Sequence, residues 1–158
     1  VVKRTVCFSV CAVLLLSGTA SAQGLDGMVV LKGVCSPKSH IAEGRIGEDL
    51  TRRQSRFFCD AAVITTPNGQ AGRRLVNFAE SRSHTRPPIG FAGTMVERDI
   101  MQVHRVYLQS GQALAVSDGY CKFFSTNKAI HGIACGAKID NGGRRTVPIV
   151  AFDGRVQS

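Results

Sequence analysis

From Met28 onward, apolar residues recur at every second position in short runs, and Gly, Pro, Asn and Ser separate the runs. A period of two places alternate side chains on opposite faces of an extended chain, so the pattern predicts strands rather than helices. Met28–Cys35 (MVVLKGVC) reads as a first strand, with Met28, Val30 and Val34 on one face and Val29, Leu31 and Gly33 on the other. Residues 36–55 are polar and irregular, with room for one helical turn near 46–53, and Cys35 and Cys59 bracket them. Residues 56–65 carry apolar side chains on both faces, as a central strand does. Thr66-Pro67-Asn68-Gly69 is turn chemistry, because Asn-Gly accepts positive φ at low cost. Residues 73–80 return as a third strand with Val76 and Phe78 on one face.

Residues 81–93, with Pro87-Pro88 and two glycines, read as an extended connector, and 94–99 as a short strand or turn. Residues 100–108 and 112–121 form a hairpin pattern, and 120–124 pairs with 130–139 around Thr126-Asn127-Lys128. Asn141-Gly142-Gly143 turns the chain into a last long strand, 144–152, in which Pro148 demotes part of the strand to an edge. These elements predict an all-β fold, a small antiparallel sandwich or partly open barrel of about seven or eight strands.

The same order of features occurs twice. MVVLKGVC at 28–35 matches LAVSDGYC at 114–121 at Val30/Val116, Gly33/Gly119 and Cys35/Cys121. Cys59, Ala61 and Val63 then match Cys135, Ala137 and Ile139, and Asn68-Gly69 matches Asn141-Gly142. Arg73-Arg74 matches Arg144-Arg145, and Val76 matches Val147. Two repeat-like three-stranded units, 28–80 and 113–152, would thus flank a connector at 81–112. Strands, turns and cysteines also recur by chance in all-β chains. If each unit is closed by its own bridge, the disulfides are Cys35–Cys59 and Cys121–Cys135, one of three pairings open to four cysteines.

The first 22 residues stand apart. Lys3 and Arg4 precede an apolar stretch, Val6 to Leu16, and Ala20-Ser21-Ala22 is an A-x-A cleavage site. This reads as a secretory signal peptide, with 23–158 as a single all-β domain that is periplasmic or released. No later apolar run is long enough to predict an integral membrane segment. Export also makes an even cysteine count read as disulfides rather than as zinc ligands or a catalytic thiol.

Charge then narrows the partners. The chain carries +9, of which Lys3 and Arg4 contribute two, leaving +7. A basic exported protein suits an anionic envelope polymer or an acidic protein, although net charge also serves solubility. Nucleic acid is disfavoured, because Trp is absent and Tyr occurs only twice, leaving little to stack bases. Arg73, Arg74, Arg144 and Arg145 are the candidate binding residues, since guanidinium forks suit phosphate and carboxylate. Arg74 shares strand parity with Val76 and Phe78, and Arg145 with Val147 and Ile149, so both are expected at the rim of an apolar face. The alternative is that charges after a turn solvate a hairpin and blunt an edge.

No catalytic, nucleotide-binding or metal motif is present, and no cofactor or metal is expected. His40, His84, His104 and His131 show no ligand spacing, and Glu97 and Asp99 flank Arg98 as surface ion-pair candidates. The sequence therefore points to a non-enzymatic exported binding module, with an inhibitor-like role as one form of it. The alternative is a small secreted hydrolase using His with Lys or Arg, for instance His104, His131 and Lys122.

Overall fold

The computed structural model describes residues 27–67, 70–81, 87–108 and 111–155. The expected signal segment, the Asn68-Gly69 turn and His84 lie outside them. Eleven strands occur among the described residues: β1 Met28–Cys35, β2 His40–Arg45, β3 Gln54–Arg56, β4 Ala61–Thr65, β5 Arg73–Ala79, β6 Ile89–Met95, β7 Ile100–Tyr107, β8 Ala113–Ala115, β9 Asp118–Thr126, β10 Ala129–Asn141 and β11 Arg144–Arg155. All pairings are antiparallel, and the fold is all-β with two disulfides, Cys35–Cys59 and Cys121–Cys135. No helix among the described residues is long and apolar enough to cross a membrane.

The hydrogen-bonded path β1-β4-β5-β6-β7-β9-β10-β11 returns to its start, because β1 pairs with both β4 and β11. The closing ladder runs from Lys32↔Arg155 to Cys35↔Phe152. Gly33 makes it possible: a Cβ there would stand 1.9 Å from the Asp153 carbonyl oxygen. The strand count exceeds the expected seven or eight because β2, β3 and β8 lie outside this path.

Two stretches read as irregular are strands. Residues 36–55 hold β2 and β3, and no helical turn forms near 46–53. β2 continues the line of β1 along β11, from Arg144↔Arg45 to Ile149↔His40. Ser39 bridges the break between them. Its buried hydroxyl accepts from the Ala151 N–H at 3.0 Å and donates to the Ala151 carbonyl at 3.2 Å, supplying the ladder bonds that the missing strand residues would make. Residues 89–95, expected as the end of an extended connector and the start of a short strand or turn, form β6, which with β7, the strand expected at 100–108, is a full member of the closed path. Pro148 is no edge residue either. It is fully buried between β2 and β10, and the β10–β11 register skips from Gly136↔Ile149 to Ile139↔Thr146, where the proline has no N–H to offer.

The range 28–80 holds β1 to β5 and the range 113–152 holds β8 to β11, and the stretch matched to β1, residues 114–121, is divided between β8 and β9. Their matched positions do not face alike. Val76 is fully buried, whereas its counterpart Val147 is half-buried and follows the parity of exposed Ile149. The buried face of β11 is Pro148, Val150 and Phe152. A one-residue offset between aligned strands exchanges inside for outside.

The core fills the interior. Phe78 of β5, fully buried, meets Phe91 of β6 edge-on with ring centroids 5.9 Å apart, and lies 6.1 Å from the ring of Phe152 of β11. Strands that are not neighbours in the path thus touch through their side chains.

Candidate functional site

A basic concavity lies on the outer face of β5, β6 and β7. β6 is the floor strand, paired from Arg73↔Thr94 to Phe78↔Ile89 on one side and from Gly90↔Tyr107 to Met95↔Met101 on the other. The second ladder slips between Ala92↔Arg105 and Gly93↔Val103, leaving His104 as an extra residue, a β-bulge. Its effect is local and specific. Val103 and Val106 are both buried, so the two residues between them, His104 and Arg105, both face outward. An unbulged strand would turn one of them into the core. Glycine is required beside the bulge, because a Cβ on Gly93 would meet the Gln102 carbonyl oxygen at 2.0 Å.

The result is a groove of about 540 Å³ lined by Arg73, Arg74, His104 and Arg105, with Leu75 and Tyr107 supplying apolar and aromatic surface. Small residues, Ala92 and Gly93, lie among its lining, and none of the described residues that line it is a carboxylate. Arg73 donates from Nη1 to Gln70 Oε1 at 3.0 Å, and Arg74 from Nη1 to the Arg73 carbonyl at 2.8 Å. Both acceptors are neutral, so these bonds orient the guanidinium groups without cancelling their charge.

Arg74 also lines a second cavity, of about 230 Å³, at the end of the closed path that carries the β6–β7 and β9–β10 turns. Its inner wall is apolar, with Ile64, Met95, Phe123 and Ile130, and its outer part carries Arg98, Asp99 and Lys128. Asp99 forms an ion pair with Lys122. The Lys122 ammonium hydrogen bond, with lesser help from its charge and that of Arg98, holds the Asp99 carboxyl below its usual range against some desolvation. Lys128 stands at a left-handed backbone position, φ 69°, in a two-residue turn closed by the Thr126↔Ala129 pair. A non-glycine residue there costs on the order of 1 kcal/mol.

Of the four arginines singled out by sequence, the structure brings Arg73 and Arg74 to the groove and sets Arg144 and Arg145 elsewhere. The 13-residue β10 begins beside the turn that holds Lys128 and ends at the turn leading into Arg144, so the two pairs stand at opposite ends of that strand. Arg145 is not at the rim of the apolar face. It shares the outward parity of Ile149 and grips Asp140 with two bonds, Nε to Oδ1 at 2.7 Å and Nη2 to Oδ2 at 2.9 Å. Arg144 lines a polar cleft with Arg45, Arg53 and Glu48, where the carboxylate sits among the cations. Glu48 accepts the Arg45 backbone N–H at 2.9 Å and pairs with Arg53 at 2.6 Å. The catalytic trio suggested by sequence is not assembled: His104 is in the groove, Lys122 is paired with Asp99, and His131 lines none of these cavities. Among the described residues no cluster of His, Cys, Asp or Glu could hold a metal ion.

Sequence reading missed His104 and Arg105 as partners of Arg73. The signal was a break in period: Met101 and Val103 are two apart, but the next buried residue is Val106. That spacing marks a bulge.

The carboxylates at these ion pairs set the acid response. Arg145 hydrogen bonds hold the Asp140 carboxyl below its usual range, and the Arg45 backbone N–H, helped by the Arg53 guanidinium, does so for Glu48. Their folded pKa values lie below the unfolded ones, so the unfolded state binds protons first as pH falls. The stabilisation is complete above the ordinary carboxylate range, near pH 5, and is lost as pH drops through the folded values. The denaturation midpoint is therefore expected to be flat from pH 7 to 5 and to fall below about pH 4. An Asp140→Asn variant, followed by urea titration across that range, should show a shallower acid slope than the parent.

No known family model, curated protein or solved structure matches this chain.

Proposed function

We propose that the protein is an exported, non-enzymatic binding module that holds an anionic polymer of the cell envelope in the groove over β6, on a closed barrel of eight strands with β2, β3 and β8 as extensions. The observation that carries this reading is the lining of the groove: three arginines and a histidine, with no carboxylate among the described residues there. Such a surface concentrates field on one side, and guanidinium forks match the carboxylates, phosphates or sulfates of an acidic glycan. Tyr107 and Leu75 offer a face on which a sugar ring can rest. The cleft at Arg144 is the weaker candidate, because Glu48 answers part of its charge.

The Arg73→Gln/Arg105→Gln double variant is expected to bind immobilised polygalacturonate about tenfold more weakly, at roughly 0.7 kcal/mol per exposed charge contact. It should elute at clearly lower salt than the parent, because contacts of this kind are screened. Arg144→Gln should elute with the parent. A double variant that elutes at parental salt would remove the groove from consideration.

A further inference from the structure

The small cavity at the end of the closed path is a different kind of site from the groove. Its inner wall is formed by Ile64, Met95, Phe123 and Ile130, and its mouth by Arg74, Arg98 and Lys128. One carboxylate, Asp99, lies among them and is already answered by Lys122, which is outside the lining. An apolar pocket under an excess of positive charge fits a ligand with a short hydrocarbon part and one negative end. We propose that this mouth binds small amphipathic carboxylates, with the chain against Phe123 and its apolar neighbours and the carboxylate held by Lys128, Arg98 and Arg74.

Two further observations support a built site. The first is the turn that carries Lys128. Asn127 and Lys128 have φ values of 51° and 69°, the geometry of a two-residue hairpin turn whose second position favours glycine. The chain's other described two-residue turn between long strands, Gly142-Gly143 with φ of 56° and 76°, has glycine at both positions. Where no ligand group is needed, the chain uses the residue that the backbone prefers. At the mouth it keeps a lysine against that preference, as strained positions at binding sites do. The second observation is that the turn bearing Arg98 is pinned. The Phe123 N–H donates to the Asp99 carbonyl at 2.8 Å, and the Val96 N–H to the Ile100 carbonyl at 2.9 Å. The cation is therefore presented by a bonded turn, which lowers the cost of ordering it on binding.

Size selects the ligand. At about 30 Å³ per water-sized unit, 230 Å³ holds roughly eight such units, the size of a six-carbon carboxylate rather than a full-length lipid. A ligand this small is expected to bind with a Kd of about 1 mM.

The test is a titration of the full chain with sodium hexanoate, followed by amide chemical shifts. Saturable shifts are expected at the β6–β7 and β9–β10 turns and around Phe123. Hexylammonium, with the same tail and the opposite charge, should produce none of them. The Lys128→Gly variant should bind hexanoate about fivefold more weakly while melting at or above the parental temperature, since glycine suits that turn. That pairing separates loss of the cation from loss of fold. Arg73→Gln/Arg105→Gln should bind hexanoate like the parent, so failure of the groove and failure of the mouth are distinguishable. Equal binding of hexylammonium, shifts confined to the groove, or a Lys128→Gly variant with parental affinity would each overturn the proposal.

Discussion

Replacing Cys35 and Cys59 together by alanine is expected to lower the free energy of unfolding by about 3.5 kcal/mol, and replacing Cys121 and Cys135 by about 3 kcal/mol. The values follow from the sequence separations, 24 and 14 residues, through the entropy that each closed loop removes from the unfolded chain. Position reinforces the order. Cys121 and Cys135 are direct partners in a β9–β10 ladder that continues on both sides of them, so their strands stay paired without the bridge. Cys35 ends β1, and Cys59 precedes β4 outside the regular ladder, so fewer backbone bonds, among them the Cys35 N–H to the Cys59 carbonyl at 2.9 Å, share with the bridge the corner where the chain leaves the closed path. All four cysteines are buried, and alanine rather than serine avoids leaving a hydroxyl there without a partner. Losing both bridges removes about 6.5 kcal/mol, a large share of the stability of a domain this size. Urea denaturation with and without reductant measures it, and a midpoint that barely moves on full reduction would contradict the account.

Phe78→Ala is expected to cost about 4 kcal/mol, in the range for emptying a buried phenylalanine site. Phe78 has no exposed surface, and its ring touches those of Phe91 and Phe152. Those rings belong to β6 and β11, and β11 is three steps from β5 around the path. The truncation therefore opens the centre of the interior, where backbone hydrogen bonding prevents collapse of the surrounding strands. Phe78→Leu, which retains most of the volume, should cost about a third as much. Equilibrium unfolding with an unchanged m-value checks both, and a loss below about 1 kcal/mol for alanine would mean that the interior is less tightly filled than it looks.

The strands that sequence revealed are those rich in apolar and β-branched residues. Arg73–Ala79 was visible because its packed residues, Val76 and Phe78, recur at period two, and Ile100–Tyr107 because Met101 and Val103 do so before the bulge, whereas Met28–Cys35 showed through its run of Val and Leu although only Leu31 and Cys35 of it are buried. β6 was hidden for a physical reason. Gly90 and Gly93 read as loop residues, yet both stand where a Cβ would strike a neighbour, Asn77 in one case and the Gln102 carbonyl in the other. β2 was hidden because it lies beyond the main core and holds few apolar residues.

The candidate site shows the same division. Arg73-Arg74 and Arg144-Arg145 are equivalent in local sequence, each following a glycine at the start of a strand. What separates them is neighbours: Gln70 and a backbone carbonyl for one pair, Asp140 and Glu48 with its arginines for the other. Sequence by itself determined the strand class, the positive charge and the supply of turn residues and cysteines, because these depend on residue type and short-range periodicity. Register decided the rest. A bulge at His104 put Arg105 beside the end of β5, a one-residue offset turned Arg145 outward, and the β1–β11 ladder closed the path. Register is a long-range property, set by which backbone groups meet across strands distant in the chain, so only the folded structure could say which arginines share a surface.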